Sequence, residues 1–178
     1  VAYKKSQRRQ MELVNIDGTK NVIHSCLKNR IKRLVHISSV TAIGAGFNDQ
    51  MILNENSDYN LDHLNLGYYQ TKRISEELVK RAVLNDGLDA VIVNPSTIYG
   101  AGDAKKGSRS VQVKVAKGKF PFYTNGGVNV VAVEDVVNGI LSAWKSGRKG
   151  ERYILSSENI TIKELFSIIA EEAGVKPP

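Results

Sequence analysis

Cysteine is nearly absent from this 178-residue chain. The single thiol, Cys26, excludes an internal disulfide and any cysteine-based metal cluster. Set among apolar helical positions, Cys26 is expected to act as a small buried hydrophobe. The three histidines, His24, His36 and His63, lack ligand spacing, so no metal site is expected. No apolar run is long enough to span a bilayer, and no signal-peptide pattern opens the chain. Together these absences point to a cytoplasmic protein without membrane segments. The formal net charge is +7. The basic residues are scattered apart from short pairs such as Arg8-Arg9, and no stripe interleaves them with aromatics. This pattern favours solvated helix faces over a nucleic-acid surface. Nor does G-x-G-x-x-G occur anywhere. Gly44-Ala45-Gly46 and Gly100-Ala101-Gly102 lack the third glycine and the strand-to-helix setting.

What is present alternates between helical and strand patterns. Met11 to Lys28 carries apolar residues at Met11, Val14, Val22, Ile23 and Cys26, which predicts a helix with a buried stripe closed by Asn29-Arg30. Arg33 to Ser38 is a short, mostly apolar strand, expected to be buried on both faces. Gly44 to Leu66 is a long polar loop, of a kind usually tied to function. Leu66 to Asn85 predicts a helix stopped by Asp86-Gly87. A second apolar strand, Ala90 to Asn94, ends at Pro95.

Tyr99 to Arg109 is expected to be a loop, Val111 to Lys117 a short helix or turn, and Val128 to Val133 a strand. Asp135 is a candidate N-cap for a helix over Val136 to Lys145. After a short strand at Tyr153 to Leu155, Thr161 and Glu164 form a T-x-x-E capping box that opens a helix over Ile162 to Ala173, closed by Gly174. Helix, strand, loop, helix, strand implies right-handed crossovers and a parallel sheet, with ligands beyond the carboxyl ends of the strands. Ser38-Ser39 and Asn94-Pro95 lie at those ends, and Tyr68 lies at the start of the helix after the long loop.

The segment YYQTK places Tyr68 and Lys72 four residues apart on one helix face. A nearby ammonium favours the phenolate, and a phenol so tuned can give a proton to a carbonyl oxygen or take one from an alcohol. Taken alone, the pair also reads as a surface Tyr beside a surface Lys.

Four strings in order, NIDGTKNV from Asn15, HISSVTAIG from His36, YYQTK, and NPSTIYG from Asn94, carry a resemblance to the extended short-chain dehydrogenase/reductase (NAD-dependent epimerase/dehydratase) family. The likeness runs from about Asn15 to the C-terminus. It implies the C-terminal part of a Rossmann-type doubly wound parallel sheet, about residues 1–100, and a small α/β substrate-binding lobe over 101–178, with Val128 to Lys145 packing back on the Rossmann part. It also implies that Tyr68 is the general acid/base, touching substrate and cofactor. Lys72 matches the lysine that binds the nicotinamide ribose and eases loss of the tyrosine proton. Ser39 matches the serine that hydrogen-bonds the substrate oxygen, Asn15 an asparagine close to the cofactor, and Pro95 to Ile98 the segment lining the carboxamide. NAD or NADP is the implied cofactor, a small molecule the substrate, and the Tyr68 to Asn85 helix the face of a homodimer.

Each residue has a plainer structural reading too. Ser38 and Ser39 can cap a strand end, Asn15 can be a satisfied polar residue, Pro95 can simply stop a strand, and Tyr99 is expected to pack.

Two departures from the pattern narrow the reading. The diphosphate-cradling start of the family fold is missing and the chain stops at Lys176-Pro177-Pro178, which marks a fragment expected to be inactive alone, to bind dinucleotide weakly and to self-associate through the edge at Arg33 to Ser38. Val40-Thr41 stand where dehydratases carry an acidic pair, and Ile43-Gly44 where epimerases carry Tyr-Gly. SSVTAIG looks most like the dihydroflavonol-reductase-like and hydroxysteroid-dehydrogenase-like branch. That branch implies an NAD(P)-dependent oxidoreductase acting on a carbonyl or hydroxyl. A nucleotide-sugar epimerase and a non-catalytic dinucleotide-binding protein are the alternatives.

Overall fold

Runs of apolar residues punctuated by Gly, Asn and Asp give a regular alternation of helix and strand. A computed structural model describes residues 7–48, 50–102 and 109–178. In chain order its first half contains α1 (Arg8–Met11), a π-helical stretch (Glu12–Asp17), α2 (Gly18–Lys28), β1 (Leu34–Ile37), 3-10 turns at Val40–Ala42 and Asp62–Leu64, α3 (Gly67–Asn85) and β2 (Ala90–Pro95). Then come β3 (Thr97–Tyr99), α4 (Ser110–Ala116), β4 (Gly127–Ala132), α5 (Val133–Ser146), β5 (Arg152–Leu155), β6 (Glu158–Thr161) and α6 (Ile162–Glu172). The described residues divide into two compact units, one of residues 7–96 with 135–155, the other of 97–102, 109–134 and 156–178.

The first unit is a three-stranded parallel sheet in the order β1-β2-β5, with Leu34 opposite Ala90, Ile37 opposite Val93, and Ile92 opposite Arg152. Every residue of β2 is buried, because this central strand is covered on both faces. Ala90 and Ile92 pack against Cys26, Val79, Ala82 and Leu88 on the α2/α3 side. Val91 and Val93 pack against Ala143 of α5 on the other, with Val35, Ile140 and Tyr153 around them. Fully burying each Val, Leu or Ile among these contributes about 1.5–3 kcal/mol, so β2 and its two layers are the structural centre of the unit. This is the expected α/β arrangement of a parallel sheet flanked by helices.

β1 departs from expectation. It pairs with β2 alone, its residues are only half-buried, and Ile37 is 52% exposed. The preceding helix begins at Arg8 rather than Met11 and passes through a π-helical stretch. Only Met11 and Cys26 of its expected stripe are buried. Val14 and Val22 are 59% and 48% exposed, on the side of α2 that flanks the unpaired edge of β1. Arg30, with φ +51, terminates the helix, and Gly87, with φ +72, follows the end of α3.

The second unit holds β3-β4-β6, with β3 parallel and β6 antiparallel to β4. β3 and β6 were not legible as strands. β3 is only three residues long, and β6 (ENIT) is polar and mostly exposed, without the alternation that marks a half-buried strand. Val115, Leu165, Phe166 and Ala170 form the core of this unit, with Phe120 edge-on to Phe166 at 5.9 Å between centroids. The capping box of α6 is formed in both directions. The Thr161 N–H donates to Glu164 Oε2 at 2.8 Å, and the Glu164 N–H donates to Thr161 Oγ1 at 3.1 Å.

α5 starts at Val133, directly at the end of β4, so Asp135 is not its N-cap. It sits in the first turn, where a carboxylate complements the positive end of the helix dipole. Among the described residues, no helix is long and apolar enough to cross a membrane.

Candidate active site at the carboxyl end of β1

Helix α3 carries the chemistry-bearing residues at steps of four, Tyr68, Lys72, Glu76 and Lys80, which places them along one face. Tyr68 lies in the first turn, half-buried, with the Tyr69 ring edge-on to it at 6.3 Å. Lys72, one turn further on, reaches the sheet. Its Nζ donates to the carbonyl of Ile37 at 2.7 Å, at the last residue of β1. The chain immediately beyond is Ser38-Ser39. Ser39 is extended (φ −165, ψ 156), and its Oγ accepts the Thr41 N–H at 3.2 Å, capping the 3-10 turn Val40–Ala42. That bond uses an oxygen lone pair and leaves the hydroxyl proton for another acceptor.

The long loop returns from this turn under restraint. Ala42, Ile43 and Leu61 are buried, and Asn60 clasps Ala45 by two bonds, accepting its N–H at 3.1 Å and donating to its carbonyl at 2.8 Å. Gly44, at φ +141, allows this approach, because a Cβ there would collide with Asn60 Oδ1.

Asn15 lies in the π-helical stretch, a local geometry often found at functional sites. Its Nδ2 donates to Thr71 Oγ1 at 2.9 Å, and Thr71 in turn donates to the Tyr68 carbonyl at 3.0 Å. Asn15 thus tethers the first turn of α3. A cleft of about 300 Å³ beside β1 is lined by Asn15, Thr19, Val22, His36, Ile37 and Lys72, among others. It brings Asn15 and Lys72 together, whereas Tyr68 and Ser39 do not line it. Pro95 is buried at the end of β2, paired with Leu155, while Ile98 belongs to the other unit, in β3 opposite Val131. Tyr99 packs in the second unit's core, with the Arg109 guanidinium 4.2 Å above its ring centroid.

Several residues escaped the sequence reading. Glu76 is 2% exposed, and its carboxylate is bound by Lys80 at 3.1 Å, Arg152 at 3.2 Å and the Asn94 amide at 2.8 Å. Burial works to raise its pKa, but the Asn94 hydrogen bond and the Lys80 charge prevail and hold it below the usual carboxylate range. Burial lowers the pKa of Lys72, opposed by the charge of Glu76 one turn away. His36 lies in β1, its Nε2 buried and without a hydrogen-bond partner. Burial first, and the Lys72 charge second, push its pKa down to about 4 against the pull of Glu76, so the ring is neutral at physiological pH. The signal for this cluster was available in part, as a polar residue at every fourth position of α3 and Asn94 ending an otherwise apolar strand.

The model of the 3-beta hydroxysteroid dehydrogenase/isomerase family matches residues 1–164. A putative dihydroflavonol 4-reductase of Synechocystis is 34% identical over 169 residues, covering 92% of this chain and 49% of that protein. Sterol demethylase protein B of Methylococcus capsulatus is 30% identical over the whole chain and 54% of its own length. The crystal structure of gox2253 superposes with a TM-score of 0.89 at 34% identity, covering 96% of this chain and 52% of that one. The chain therefore spans about half the length of the curated relatives it matches.

Proposed function

Since the chain belongs to the 3-beta hydroxysteroid dehydrogenase/isomerase family, we propose that it carries the proton-handling half of an NAD(P)-dependent oxidoreductase site. The observation that carries this reading is the Lys72 bond to Ile37 O, which ties the Tyr68 helix to the strand end bearing Ser39. When bound, NADH or NADPH would supply the hydride for reduction, and the oxidised dinucleotide would accept it for oxidation. The residues around the cleft fit the nicotinamide-ribose end of such a molecule. Lys72 and Asn15 offer donors, and the buried, unpartnered Nε2 of neutral His36 offers a further polar atom there. No glycine-rich diphosphate turn occurs in the sequence, so these residues account for that end alone.

In the reductive direction the Tyr68 hydroxyl gives its proton to the substrate oxygen, and in the oxidative direction the Tyr68 oxygen takes it back. The Lys72 ammonium stabilises the negative charge that remains on the tyrosine oxygen. Ser39 donates to the same substrate oxygen and stabilises charge developing there. Pro95, at the end of β2, flanks the nicotinamide in this reading. The names of the relatives, a dihydroflavonol reductase and a sterol-processing protein, support a ring-bearing, largely apolar alcohol or ketone as substrate.

The test is a spectrophotometric screen of the full-length gene product with NAD(H) and NADP(H) against 3β-hydroxysteroids, 3-ketosteroids and dihydroflavonols. Tyr68→Phe is expected to lower turnover by about two orders of magnitude while sparing dinucleotide affinity. Undiminished turnover in that variant refutes the role of Tyr68. Conversion without net consumption of the dinucleotide identifies an epimerase instead.

A further inference from the structure

Asn94 is fully buried at the end of β2, 55 residues from Ser39 along the chain. Its Nδ2 donates twice, to the backbone carbonyl of Ser39 at 2.9 Å and to Glu76 Oε2 at 2.8 Å. Both partners are pure acceptors, so only the amide nitrogen can face them, and the orientation of the Asn94 side chain is determined. Glu76 is held from its other oxygen by Arg152, whose guanidinium also donates to the carbonyls of Glu55 at 2.6 Å and Ser57 at 3.0 Å. A continuous relay thus runs from the long loop through half-buried Arg152 and buried Glu76 and Asn94 to the backbone of Ser39. Burying a carboxylate and an amide costs free energy that apolar residues of similar size would not; here the bonds at Asn94 Nδ2 and the Glu76 carboxylate offset it, while Asn94 Oδ1 is buried without a partner. Every contact in the relay is directional, and it terminates on Ser39, the residue that the proposed function assigns to the substrate oxygen.

We propose that Asn94 and Glu76 are positioning residues: the Glu76–Asn94 bridge holds the Ser39 carbonyl, and with it the turn that aims the Ser39 hydroxyl. Glu76 also sits one turn from Lys72 and supports its positive charge. The catalytic consequence rests on the oxidoreductase reading, whereas the geometric part does not.

Amide hydrogen exchange in the full-length gene product separates the two. The Thr41 N–H, bonded to Ser39 Oγ, reports the position of the turn. In Asn94→Ala its exchange is expected to quicken about tenfold or more while the amides of Ile92 and Val93 in β2 keep their protection. Tyr68→Phe is expected to leave Thr41 unchanged. Unchanged Thr41 exchange in folded Asn94→Ala overturns the proposal whether or not the oxidoreductase reading stands. Should Asn94→Ala fail to fold, Glu76→Gln, which conserves volume, decides. In that variant too the Thr41 N–H is expected to exchange faster while Ile92 and Val93 keep their protection, and unchanged Thr41 exchange overturns the proposal. With any substrate found in the screen, Asn94→Ala is expected to lower kcat about tenfold or more with dinucleotide KM within about twofold. A parallel loss of affinity, or an unchanged kcat, contradicts a role through Ser39.

Discussion

The desolvated imidazole of His36, its Nε2 buried, should make acid the weak side of this fold. In the folded chain His36 binds its proton only near pH 4, against 6.5 for an ordinary histidine. Between those values the unfolded chain holds more protons, so stability falls as the pH is lowered through that window and is fully retained above it. The gap corresponds to about 3 kcal/mol, of which about 2 kcal/mol is lost by pH 4.5. Glu76 acts in a different window. Its depressed carboxylate contributes stability that is present above its ordinary value and lost only as the pH falls below about 4.5, so the range from 7 to 4.5 reports on His36. Urea unfolding of the native chain and of His36→Leu at pH 7, 6, 5 and 4.5 gives the comparison. Leucine removes the titrating group and the unpartnered Nε2 at similar volume. The native protein should lose about 2 kcal/mol more than the variant across the series. Parallel curves would refute the account of His36 as a desolvated neutral base.

Other perturbations test the frame around the site. Ile92→Ala, at a fully buried position in the middle of β2, should cost about 2–5 kcal/mol in urea unfolding. Thr161→Ala removes the Oγ1 that accepts the Glu164 N–H, while the backbone N–H at 161 can still donate to Glu164, and should cost about 1 kcal/mol, read as a lowered midpoint for loss of helical signal. Arg152→Ala releases the carbonyls of Glu55 and Ser57 and should speed proteolytic cleavage within 50–57, while cleavage elsewhere stays at its native rate.

Local patterns carried much of this protein into view. The T-x-x-E box, the Asp86-Gly87 stop and the unbroken apolar run of β2 each specify structure through neighbours a few residues apart, and each is formed. The spacing of Tyr68 and Lys72 needs only the helical period. Where the sequence misled, the deciding partner was distant or missing from the pattern. Val14 and Val22 have the spacing of core residues, yet they face the cleft beside the unpaired edge of β1. β6 is held by its ladder to β4 rather than by its own polar residues.

The chain's own order therefore set which residues are helical, which lie at strand ends, and that a tyrosine and a lysine share a face. Tertiary structure alone decided that Lys72 binds the end of β1, that His36 loses its proton to burial, and that Asn94 joins Glu76 to Ser39. Those relations span 18 to 55 residues of chain. The buried Asn94–Glu76 bond in particular draws its strength from water being excluded between the partners, a property of the packed interior that no local pattern encodes.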